Sequence, residues 1–174
     1  MTRYQLVKLV ALAGTLTSRK RVQKVVYLLQ AGGCPLGADF QLHFYGPYSQ
    51  QVAGLLNELV RQGLLVETCV THPGGEQYSY ALSPAGRESL EAYEKSAAGH
   101  QAAGALRPYE GRFRQLVGRD LGELELAATV AFHWERYHDW GRAVARAGVL
   151  KKVAADHPKM ASALALARSV GQAG

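Results

Sequence analysis

A chain of 174 residues with 48% hydrophobic content can bury one sizeable core, or a domain with a helical annex, which excludes a wholly disordered protein. No apolar run approaches the ~18–20 residues of a membrane span, and Arg3 and Lys8 interrupt any secretory leader, so a cytoplasmic protein without membrane contact is expected. The net charge of +6 suits a polyanionic partner, and its distribution is more telling than its size. Met1 to Ala38 carries six basic residues, Arg3, Lys8, Arg19, Lys20, Arg21 and Lys24, and no Asp or Glu.

Leu6, Leu9, Val10 and Ala13 recur at helical spacing, and Gly14 stops that helix. Thr17 or Ser18 caps a second helix with the apolar stripe Val22, Val25, Val26 and Leu29, closed by Ala31-Gly32-Gly33; Lys20 and Lys24 fall off the stripe. Gln41 to Tyr45 is strand-like, is cut off by Gly46-Pro47, and is a candidate to pair with a later hairpin. Tyr48 to Gln62 sets Val52, Leu55, Leu56, Leu59 and Val60 on one helical face, and Gly63 ends it. Leu64 to Val70, a turn at His72-Pro73-Gly74-Gly75, and Gln77 to Leu82 spell a β-hairpin. Ser83-Pro84 opens a further helix towards Lys95, as an N-cap followed by proline at the first helical position.

Ala, Gly, His and Gln displace the periodic pattern from Ser96 to Pro108. Beyond it, Leu121 to Trp134 is helical, and a last helix rich in alanine and leucine runs from His157 to Val170. The expected fold class is mainly α with a small β-hairpin (α+β). Residues 1–95 form a winged helix-turn-helix domain, 96–108 a linker or loop, and 109–174 a C-terminal helical extension. Tyr48 to Gln62 is then the recognition helix, with Ser49, Gln50, Gln51, Gly54, Asn57, Glu58 and Arg61 on its open face.

Two blocks, Arg19 to Gln30 and His43-Phe44-Tyr45-Gly46-Pro47-Tyr48-Ser49, resemble the signature of the YwgA family. The likeness continues through Leu55 to Leu59, Gly63-Leu64-Leu65, Tyr80 to Gly86 and Leu124 to Thr129. It implies a winged-helix protein, distantly similar to the Panacea antitoxin domain through Lys24, Tyr27 and the Tyr45-Gly46-Pro47 element. Lys24, Tyr27, Tyr45, Gly46, Pro47 and Tyr48 are its signature positions, and no catalytic residues come with it.

The chemistry legible in the chain is that of binding. Arg19, Lys20, Arg21 and Lys24 are candidate phosphate contacts, Gln50, Gln51 and Asn57 suit adenine edges, and Arg61 suits guanine or phosphate. Gly46-Pro47 shapes the entry to the third helix, where Ser49 and neighbouring amides could meet an anion. Tyr45 is expected in the core, and Tyr48 at the surface. His133 and His138, five residues apart, point ~140° from each other on a helix and make a poor metal pair. Trp134 and Trp140 suit the interior of the annex or a partner surface. Cys34 and Cys69 form no CxxC pair and are expected as idle thiols. No P-loop, GxGxxG or GxSxG motif occurs, so neither an enzyme nor a cofactor or metal is expected. The reading is a DNA-binding winged-helix protein, a transcriptional regulator or antitoxin-like component on double-stranded DNA, as a homodimer through its C-terminal helices. The alternative is a protein-interaction adaptor of the same fold.

Overall fold

The computed structural model describes residues 1–73 and 75–171; Gly74, in the expected turn, and residues 172–174, at the end of the expected extension, lie outside them. Helix α1 (Arg3–Ala13) begins in a capping box, the Thr2 hydroxyl accepting from the Gln5 amide and the Gln5 side chain accepting from the Thr2 amide. Strand β1 (Thr15–Thr17) leads to α2 (Arg19–Ala31), capped by Ser18. A small hairpin, β2 (Gln41–His43) and β3 (Gly46–Tyr48), precedes α3 (Gln50–Arg61). The larger hairpin is β4 (Leu65–His72) and β5 (Gly75–Leu82). Then come α4 (Pro84–Glu94), α5 (Ala97–Leu106), a 3-10 turn at Arg107–Tyr109, α6 (Glu110–Val117), α7 (Leu121–Tyr137), α8 (Trp140–Lys151) and α9 (Pro158–Gly171). The chain is therefore mainly α with a small antiparallel β component, as its sequence leads one to expect.

Three differences from that expectation have physical causes. The large hairpin gains its third strand from β1, in the order β1-β5-β4 with Leu16 opposite Tyr80, and Gln41–His43 pairs locally with β3 instead. Leu16 is buried, and the Ser18 amide continues the ladder onto the Tyr78 carbonyl at 2.6 Å. Residues 97–106 are helical where a linker or loop was expected, because alanine is the strongest helix former and Ser96 caps the first turn through the Gly99 amide. Gly99 is not loop punctuation: a Cβ there would lie 1.9 Å from the Tyr93 carbonyl oxygen, so it lets α5 close against the end of α4.

One hydrophobic core runs from Leu6 to Val170. Helix α7 lies at its centre, packed against α2, α8 and α9. Ala127, Ala128, Ala143, Ala147, Ala163 and Ala167 are all buried, and their small side chains let these helices approach closely. Helix α2 is covered on more than one side, so every residue from Val22 to Leu29 is buried. Among the described residues no helix is long and apolar enough to cross a membrane.

Candidate nucleic-acid interface

The first turns of α2 lie between the large hairpin and the start of α3. On one flank Arg19 stacks its guanidinium 4.0 Å from the centre of the Tyr78 ring, its Nε donates to the Tyr80 hydroxyl at 2.8 Å, and its Nη2 meets Glu67 at 2.9 Å. The Tyr80 hydroxyl donates in turn to the same Glu67 carboxylate. Partial burial works to raise the Glu67 carboxyl, but the hydrogen bonds from Tyr80 and Arg19 outweigh it and hold it below the usual carboxylate value. On the other flank the buried Gln23 carboxamide grips the backbone of Ser49, accepting from its amide at 2.8 Å and donating to its carbonyl at 3.0 Å. Three elements are thereby fixed relative to one another.

The basic block of the first 38 residues does not survive folding as an open field. Arg3 pairs with Glu58, Lys8 with Glu94 at 2.7 Å, Arg19 with Glu67, and Lys20 with Glu125 at 3.9 Å. Arg21 is spent on backbone, its Nη1 donating to the carbonyls of Val117 and Arg119 at the end of α6. Lys24, expected at the surface, is 2% exposed and donates to the Pro47 carbonyl. Neither Arg21 nor Lys24 is placed to meet a phosphate. Arg19 and Lys20 keep about half of their side chains in solvent, 51% and 48%, and their pairs are of the exposed kind that a phosphate can displace.

Lys24, Tyr45, Gly46 and Tyr48 line a cavity of about 220 Å³ together with Arg19, Lys20, Gln23 and His43, and Pro47 joins them through its carbonyl to Lys24. Gly46 has φ +87°, and a Cβ there would stand 2.6 Å from Thr129 Oγ1 on α7, so this turn tolerates glycine alone. Tyr45, expected in the core, stands at the surface instead. Tyr45 is 52% exposed beneath the Lys20 ammonium, 3.9 Å from its ring centre, whereas Tyr48 is half-buried against His43. Glu125 and Lys151, 3.4 Å apart, complete the cluster from α7 and α8, and the sequence reading did not assign them to it. Burial lowers the Lys24 ammonium to about 8; Glu125 opposes that shift, and Lys151 and Lys20 add to it. Three lysines around one carboxylate leave a local excess of positive charge.

On α3, Gln50, Gln51, Asn57 and Arg61 are exposed, as a reading face requires. Ser49 is not part of that face: it is fully buried, and its hydroxyl caps the helix by accepting from the Val52 amide at 3.2 Å. Glu58 is held by Arg3 and by Gln62 at 2.9 Å. Farther along, His133 lies inside α7, whereas His138 ends that helix in a left-handed conformation. Trp134 and Trp140 stack at 5.0 Å within the helical annex. Cys34 is buried, and Cys69 stands exposed on β4.

No family model matches the chain. It is similar to the uncharacterized protein YwgA of Bacillus subtilis (strain 168), with 32% identity over 87 residues that cover 50% of this chain and 52% of that one. The chain thus spans about half the length of the curated relative that it matches, and the likeness is to YwgA in particular.

Proposed function

We propose that the protein is a winged helix-turn-helix that binds duplex DNA, as a transcriptional regulator or the DNA-binding part of an antitoxin-like pair. Helix α3 enters the major groove with Gln50, Gln51, Asn57 and Arg61 towards the bases. Arg19 and Lys20 at the start of α2 meet the phosphates, and the β4–β5 hairpin acts as the wing. The observation that carries this reading is the placement of the α2 N-terminus, tied to the wing through Arg19 and to the α3 cap through Gln23. A phosphate seated near Lys20 and Tyr45 would take over the weak contact with Glu125. A second copy joined through the C-terminal helices would place two α3 helices on half-sites ~34 Å apart.

A specific observation favours the second reading, a protein-interaction adaptor. Each of the six N-terminal basic residues already has an intramolecular partner, and Leu42, Phe44 and Tyr45 stand 36%, 66% and 52% exposed on the small hairpin, an apolar patch suited to a protein surface.

Fluorescence anisotropy separates the two. A labelled duplex from upstream of the protein's own gene and a scrambled duplex are titrated at several salt concentrations with the wild type, Arg19→Gln/Lys20→Gln and Gln51→Ala/Asn57→Ala. DNA reading requires salt-sensitive binding that prefers the upstream duplex, a shallower salt slope for the charge variant and lost preference for the helix variant. Absence of binding by folded protein at low salt sinks it in favour of the adaptor.

A further inference from the structure

A second cavity, of about 570 Å³, opens between α7 and α8, within the size range of small-molecule sites. Its floor is His133, 8% exposed, whose two ring nitrogens have no hydrogen-bond partner among the described residues. An imidazole left so is uncommon, since a buried polar group without a partner costs about 1–3 kcal/mol. The Tyr137 ring stacks beside it, 6.1 Å away and nearly parallel. Arg142 and Arg146, one turn apart on α8, line the cavity as exposed residues, and neither makes an ion pair among the described residues. The Arg146 guanidinium lies 6.0 Å from the Tyr137 ring centre. The remaining wall is apolar: Val149 is 82% exposed and Leu42 reaches in from β2.

We propose that this cavity binds a small organic carboxylate with an apolar body, its anion held by Arg142 and Arg146 and its body against Tyr137, Leu42 and Val149. Two guanidiniums one turn apart suit one carboxylate, each able to offer a fork of donors. An inorganic anion would use the arginines and leave Val149 and Leu42 in water, so the wall selects an amphipathic ligand. Burial, then Arg146 and Arg136, lower the basicity of the His133 ring. The site needs no nucleic acid and is independent of the DNA-binding reading.

The test is calorimetry of the full chain with 3-phenylpropanoate, its uncharged amide 3-phenylpropanamide, and inorganic phosphate. Expected is one saturable site for the carboxylate at ~1 mM or tighter, at least ~10-fold weaker for the amide and for phosphate. Arg142→Gln/Arg146→Gln should lose the carboxylate by ~10-fold or more while its circular dichroism stays native, and Val149→Ser should weaken it less. Equal binding of carboxylate and amide overturns the proposal, as does equal binding of phosphate, an unchanged arginine variant, or no saturable heat with the wild type. Should the arginine variant fail to fold, a chemical shift of the His133 ring protons in wild type on adding the carboxylate but not the amide decides the matter.

Discussion

The Lys24 ammonium, inside a helix with 2% of the residue exposed, donates its hydrogen bond to the Pro47 carbonyl, and so fastens α2 to the turn that launches α3. Burial leaves that ammonium with a folded-state value near 8 against 10.5 when unfolded, so between those values the unfolded chain binds the extra proton. Stability from this group therefore rises with pH across that window, and below about 8 its charge is a burden on the fold. Lys24→Met removes the dependence. Chemical denaturation at pH 7.5 and 9.5 should show the wild type gaining about 2 kcal/mol relative to the variant. A constant difference between the two proteins would mean that Lys24 is not buried as a cation.

Glu67 occupies the guanidinium that the DNA-binding reading assigns to a phosphate. Glu67→Gln keeps an acceptor for Tyr80 and Arg19 but removes the competing charge. Duplex affinity at low salt should rise ~3–10-fold, with a steeper salt dependence. Because the folded-state value of Glu67 lies below its unfolded one, its contribution to stability is present above the unfolded value and is lost as pH falls through the folded one. The variant should thus be slightly less stable than wild type at pH 7, by up to ~1 kcal/mol for so exposed a pair, and equal to it in acid. An unchanged duplex affinity would remove Arg19 from the interface.

Elements whose signals are local were legible in the sequence. Val52, Leu56 and Leu59 are buried at the spacing that marks α3, and Ser83-Pro84 caps α4 as read. What depends on distant partners was not. Three residues of β1 acquire strand character only by pairing with β5, sixty-odd positions away. The off-stripe position of Lys24 suggested exposure because a single buried face was assumed for α2, yet α3, α6, α7 and α9 all contact that helix and leave little of it free. The positive field of the first 38 residues likewise looked open because Glu58, Glu67, Glu94 and Glu125, which neutralise it, lie later in the chain. Of the candidate site, Gln50, Gln51, Asn57 and Arg61 were placed correctly at the surface, and the contributions of Glu125, Lys151 and the His133 cavity could be found only in three dimensions.

The two thiols should differ sharply in reactivity. Burial pushes the Cys34 thiol up to about 12, against a smaller opposing effect of Arg112, whereas Cys69 is exposed on β4 opposite Tyr78. A chromogenic disulfide reagent at pH 8 should titrate one thiol in the native chain and both after denaturation. With saturating duplex, Cys69 should react several-fold more slowly if the hairpin is a wing on DNA. Undiminished reaction of Cys69 in a bound complex would place the hairpin away from the nucleic acid.

Gly46 and Thr129 test whether α7 is part of the same folding unit as the α3 entry. An alanine at position 46 carries two separable penalties: a left-handed backbone at φ +87°, roughly 1–2 kcal/mol, and a Cβ placed 2.6 Å from Thr129 Oγ1. The hydroxyl cannot easily yield, since Thr129 is fully buried and bonds the Glu125 carbonyl at 2.7 Å. Gly46→Ala should therefore cost about 3 kcal/mol in denaturant unfolding. Thr129→Ala alone should cost about 1 kcal/mol by losing one hydrogen bond and a little buried volume. In the double variant the clash is gone while the backbone penalty and the lost Thr129 hydrogen bond remain, so the sum of the single effects should exceed the measured loss by ~1 kcal/mol or more. Additive effects would mean that α7 does not close on the Tyr45-Gly46-Pro47 turn in solution. Coupling would instead make the helical annex a structural support of the α3 entry, so that changes in α7 could reach the reading face without touching it.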